Sequence, residues 1–152
     1  MDLTWYDAQF EDMATATLYG ILALRSRVFV VEQRCAYDDL DGLDQRARHV
    51  WAQDLASVVA YLRILPAGVR HAEVCIGRVV VDAGYRAHGL GRELMRRGLV
   101  LAGAVPIRLG AQAHLERFYG ELGFQRASDV YEEDGIPHIE MLRPAASGTP
   151  SR

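Results

Sequence analysis

The chain has 152 residues, half of them hydrophobic and 24% charged, which suits one soluble domain with a buried core. A formal net charge of −3 and the lack of any basic run interleaved with aromatics remove the electrostatic case for nucleic-acid binding. Two cysteines, Cys35 and Cys75, cannot build a disulfide framework, and every long apolar window is broken by Arg or Gly, so no membrane span is expected.

In chain order, a first strand is expected near Leu3 to Phe10, followed by a helix from about Ala14 to Val30. In that helix Leu18, Ile21, Leu22, Val28 and Phe29 keep a helical period, with Arg25 as the polar exception. Asp38 to Gly42 is turn chemistry and reads as a solvated acidic loop. His49 to Gln53 and Ser57 to Leu65 form a strand pair joined near Asp54, and Val74 to Asp82 is a third, β-branched strand. A helix from Gly91 to about Ala102 presents Leu90, Leu94, Met95, Leu99 and Ala102 on one face, with Glu93 able to pair with Arg96 or Arg97. Ile107, Leu109 and Ala111 alternate as a half-buried strand. Leu115, Phe118, Tyr119 and Leu122 mark a short helix ended by Gly123, and Phe124 can fold back on it. Two last strands, Gln125 to Tyr131 and His138 to Leu142, are joined across Asp134 to Pro137. The domain is expected to occupy residues 1–143, with residues 144–152, rich in Ala, Ser, Gly, Thr and Pro, as a disordered tail.

Chemistry concentrates where the third strand meets the next helix. Arg86-x-x-Gly89-x-Gly91 places unpaired amides and the positive end of a helix dipole at one point, a setting for phosphate or pyrophosphate. A P-loop would need a lysine, and the chain has none; the dinucleotide fingerprint would need a third glycine at a spacing that is missing. No His-Glu-x-x-His or comparable ligand spacing is present, so no metal is predicted.

The Arg-x-x-Gly-x-Gly loop resembles the acetyl-CoA pyrophosphate loop of the GNAT superfamily of N-acetyltransferases. A second segment, Gln112 to Phe124, resembles the later motif of that family, with Tyr119, Gly123 and Phe124 matching and Gln112 standing where Asn is usual. Leu24 to Gln33, Asp41-Gly42, Ile76 to Val79, Leu109 to His114 and Val130 to His138 together look like the ElaA-like branch.

The resemblance implies a mixed, mostly antiparallel sheet, helices on both faces, and a splay between the fourth and fifth strands. It also implies a bacterial, cytoplasmic acetyltransferase using acetyl-CoA as co-substrate and no metal. In that reading the pyrophosphate rests on Arg86, Ala87, His88, Gly89, Leu90, Gly91 and Arg92, and the pantetheine arm meets Val79, Val80, Val81 and Gln112. Tyr119 then matches the general acid that protonates the departing thiolate; by periodicity alone it is a core aromatic.

The base is open among Glu73, Asp82, Glu32, His114, His138 and water, with Glu32 and His138 chosen to shape the acceptor site. Asp38 to Asp44 hints only weakly at a cationic acceptor. The acceptor is expected to be a small-molecule or peptide amine, with no nucleic acid or membrane partner, and dimers are common in the family. A non-catalytic acyl-CoA-binding module is the alternative, and a covalent role for Cys35 lacks any Cys–His–Asp arrangement.

Overall fold

A computed structural model describes residues 2–146, so of the expected tail, residues 147–152 lie outside the described region. Eight strands form one sheet: β1 (Leu3–Gln9), β2 (Arg48–Asp54), β3 (Ser57–Leu65), β4 (Val74–Val81), β5 (Ile107–Gln112), β6 (Gln125–Arg126), β7 (Tyr131–Glu133) and β8 (Ile136–Arg143). Their order is β1-β2-β3-β4-β5-β8-β6, with β7 also pairing β8. All pairings are antiparallel except β4 with β5. That parallel step needs a long crossover, and α2 (Leu90–Ala102) supplies it.

The central strand β3 is apolar on both faces because both are covered. Val58 and Tyr61 pack with Ile21 and Leu24 of α1 (Thr15–Arg25), whereas Ala60, Leu62 and Ile64 pack with Leu94 and Met95 of α2. The α2 side is very close: a Cβ on Gly98 would stand 2.9 Å from a Leu62 methyl. No helix among the described residues is long and apolar enough to cross a membrane.

Three local expectations are corrected. The first helix does not run uniformly to Val30; after Arg25 it continues as a π-helical stretch, Ser26–Glu32, whose wider turn buries Val28 and Phe29 and carries Glu32 toward the sheet opening. The strand expected over Gln125 to Tyr131 is split into β6 and β7. Ser128 causes the break, because its hydroxyl accepts the Glu140 N–H at 2.9 Å in place of a backbone carbonyl. The Asp38 to Asp44 loop is irregular as expected, but it is not solvated throughout. Asp39 and Asp44 are buried, and Asp41 reaches inward to Arg63.

Those carboxylates neutralise two arginines inside the core. Arg25, fully buried, donates to Asp39 and Asp44 at 2.8 Å each; Arg63 donates to Asp44 at 2.9 Å and to Asp41. His49 donates from Nε2 to the Asp44 carbonyl at 2.9 Å and accepts the Tyr61 hydroxyl at Nδ1 at 2.6 Å. Burial alone would raise the Asp44 pKa, but the hydrogen bonds and charges of both arginines win and hold it below the usual carboxylate range.

Candidate functional site

β4 and β5 pair only at Val74 with Ile107 and Cys75 with Arg108, then part. β4 also bulges: between the pairs Arg63–Gly77 and Tyr61–Val80 it spends one residue more than β3, and Arg78 takes a φ of 53°. The bulge turns Arg78 across the Phe29 ring, 5.1 Å from its centroid, and onto Asp39 at 3.3 Å. Parting and bulge together leave strand edges facing an opening, with a cavity of about 720 Å³ between β4, β5, α2 and the π-helical end of the first helix.

Val79, Val80 and Val81 form the β4 wall and Gln112 stands in the β5 wall. Beyond β4 the chain makes one 3-10 turn, Ala83–Tyr85, capped by Asp82 accepting the Gly84 N–H at 3.2 Å. The loop then crosses to α2 with Ala87 at φ 68° and Gly89 at φ 77°. Gly89 needs no side chain to hold this left-handed turn, and nothing lies within 4 Å of where its Cβ would be. The first amides of α2 have no intrahelical acceptor and stand at the positive end of the helix.

Arg86, Ala87, Gly89, Leu90, Gly91 and Arg92 all line the cavity; His88 is exposed and does not. Both loop arginines already hold carboxylates. Arg86 grips Glu32 with two hydrogen bonds, 2.6 and 3.0 Å, and donates to the Val81 carbonyl at 3.0 Å. The hydrogen bonding from Arg86 to its carboxylate holds the Glu32 carboxyl below its ordinary range. Arg92 pairs with Glu121 at 2.6 Å and covers the Phe118 ring.

Tyr119 lies in α3 (Glu116–Gly120), which follows β5 after a single 3-10 turn. Gly123, at φ 95°, ends the segment, and Phe124 folds back so that its ring meets Tyr119 edge-on at 6.0 Å. Phe118 flanks the other side at 5.0 Å. Tyr119 lines the cavity, its hydroxyl finds no hydrogen-bond partner among the described residues, and burial pushes its pKa up to about 12.

The base candidates separate by place. Glu73 and Asp82 lie outside the cavity wall, paired with Arg108 and Arg27; Glu32, His114 and His138 are in it. His138 donates from Nδ1 to the Ile136 carbonyl at 2.7 Å, which leaves Nε2 as a free acceptor, and its ring stacks on Tyr131. Cys35 and Cys75 are buried free thiols; burial raises the Cys75 thiol. No group of three or more His, Cys, Asp or Glu is arranged to hold a metal ion among the described residues.

Sequence reasoning missed Tyr37, Arg78, Tyr131 and Glu140. The usable signal was strand alternation: His138 and Glu140 fall two residues apart, on one face of β8.

A family model described as the acetyltransferase (GNAT) domain matches residues 17–143. Protein ElaA of Escherichia coli (strain K12) is 43% identical over 149 residues, covering 93% of this chain and 96% of that one. The crystal structure of E. coli ElaA superposes with a TM-score of 0.88 at 41% identity, covering 93% of this chain and 99% of that one. An acyl-CoA N-acyltransferase from Pseudomonas aeruginosa does so at 0.90 and 42% identity, with the same two coverages. Acyl transfer from a CoA thioester is the chemistry this kinship supports. With its split sheet, glycine loop and buried tyrosine in this order, the chain belongs to the GNAT family of acetyltransferases, in its ElaA-like branch.

Proposed function

We propose that this protein is an acetyl-CoA-dependent N-acetyltransferase that moves the acetyl group to a primary amine directly, in a ternary complex. The observation that carries the reading is the unpartnered Tyr119 phenol in the wall of the same cavity as the glycine loop.

The pyrophosphate is assigned to the amides from Ala87 to Arg92, and the pantetheine arm to the open edge of Val79 to Val81, with Gln112 across the gap. Arg86 and Arg92 add charge-assisted contacts where phosphate oxygens take over from Glu32 and Glu121. The neutral amine nitrogen attacks the thioester carbonyl carbon. The C–S bond breaks with its electron pair going to sulfur, and Tyr119 donates its proton there. A phenol with a pKa near 12 stays protonated at neutral pH, and the same buried setting raises the basicity of the departing thiolate. The proton shed by nitrogen goes to His138 Nε2, the free acceptor on β8.

Release of free CoA thiol across a chemically diverse amine library tests the reading. Amine-dependent release is expected. CoA binding without amine-dependent release would leave an acyl-CoA-binding module in place of the enzyme.

A further inference from the structure

Glu140 is a carboxylate in the cavity wall that the acetyl-transfer reading leaves without a task. It sits on β8 directly across from Gly110 of β5, where β5 has left β4, with about a fifth of its side chain exposed. Two neighbours fix it. Tyr131 donates its hydroxyl to Oε2 at 2.6 Å, and Arg108 donates to Oε1 at 3.2 Å.

Arg108 is shared, because its Nε also donates to Glu73 at 3.0 Å. One guanidinium therefore serves two carboxylates, and the trio keeps one negative charge in excess. A carboxylate offers about four lone-pair positions, and two on Glu140 are used, so it can still accept N–H donors from the cavity. Space is reserved there as well: a Cβ on residue 110 would stand 3.2 Å from Glu140 Oε2 and 3.4 Å from the Tyr131 hydroxyl. His138 lies two residues away on the same strand face. Around this point Glu133 and Asp134 add acidic groups to the wall, and Arg70 adds an exposed cation.

Resting on the acetyl-transfer reading, we propose that Glu140 anchors the acceptor as its protonated ammonium, so that the acceptor class is a primary alkylamine charged at neutral pH. Tyr131 and Arg108 are positioning residues that hold the carboxylate, and Gly110 keeps its approach open. The docked ammonium loses one proton to solvent water, and the neutral amine then attacks and sheds its second proton to His138 Nε2 beside it.

The test compares wild type, Glu140→Gln and Gly110→Ala on primary alkylamines, which are protonated at pH 7, and arylamines, which are neutral there. Alkylamines should be the substrates. In Glu140→Gln their kcat/KM should fall about 10- to 100-fold, mostly through KM, while CoA affinity by calorimetry stays as in wild type. Gly110→Ala, which retains every charge but presses a methyl on Glu140, should also raise KM; it decides the matter if the glutamine variant does not fold. Preference for neutral arylamines, turnover of arylamines alone, or an unchanged alkylamine KM in both variants would each overturn the assignment. Failure to bind CoA, or CoA binding with turnover of neither amine class, would instead overturn the acetyl-transfer reading beneath it.

Discussion

Two arginine-bearing regions of this protein use the same ionic chemistry to opposite ends. Around the glycine loop, Arg86 and Glu32 pair at the surface, each with 42% of its side chain exposed. In the core, Arg25 and Arg63 are almost wholly excluded from water and share Asp39, Asp41 and Asp44 between them. A surface pair trades protein contact for water at little net change, so it can exchange partners when a phosphate arrives. A buried group has no water to fall back on, and losing one partner strands the other as an unpaired charge. Burial, not the ion pair itself, makes one region exchangeable and the other fixed.

The sharpest way to break that comparison is to remove one arginine from each region. Arg25→Met should cost about 3–5 kcal/mol of stability, because Asp39 and Asp44 remain buried, each short of one charged donor. Arg86→Met should cost no more than about 1 kcal/mol. Urea unfolding with an unchanged slope measures both, and equal losses would show that burial does not separate the two regions.

On the site side, Tyr119→Phe should lower kcat by about 100-fold or more while leaving CoA affinity in place, since only a proton and its oxygen are removed. With the phenol pKa near 12, the wild-type rate should show no alkaline loss up to about pH 10, because a general acid fails only above its own pKa. A tyrosine-dependent fall near pH 10 would contradict the buried setting.

Gly89→Val carries a smaller cost for the fold, about 1–2 kcal/mol of strain at a positive φ, since nothing crowds the new side chain. Its main effect should be on CoA, with affinity reduced about tenfold or more by a side chain standing over the amides. A variant that melts early yet binds CoA normally would reverse the roles given to the loop and the core.

The mildest effect concerns pH. Burial depresses the His49 pKa, so the folded protein resists a proton that the unfolded chain accepts near pH 6.5. The stability this contributes is present above about pH 6.5 and is lost as pH falls below it. Asp41 and Asp44, held low in the fold by Arg63 and Arg25, add a second loss below about pH 4. Melting between about pH 8 and pH 5 should show the first step in wild type and a flatter profile in His49→Gln, whose amide can still donate to Asp44 and accept from Tyr61.

Much of the site was legible residue by residue. Alternation marked Ile107, Leu109 and Ala111 as the buried face of β5, and all three are buried. Helical spacing brought Leu90, Leu94 and Met95 to one face, and Glu93 does pair with Arg96 and Arg97. Gly89, Gly91, Tyr119 and Gly123 announced the loop and the later motif, and the cavity gathers Gly89, Gly91 and Tyr119 in its wall. Arg25 was less transparent: its position fits the helical stripe, yet its partners are 14 and 19 residues away in an irregular loop. Arg78 was hidden by the bulge that turns it, and Glu140 by a hairpin whose register depends on Ser128.

What the amino-acid sequence by itself determined is therefore most of the elements, their order, and the glycine loop. Those follow from periodicity and from backbone conformations that few residues accept. Which carboxylate meets which arginine, where β4 parts from β5, and which acids face the cavity were decided only by the tertiary structure. Such pairings depend on burial and on the register between distant strands, and neither quantity exists until the sheet has closed over both helices.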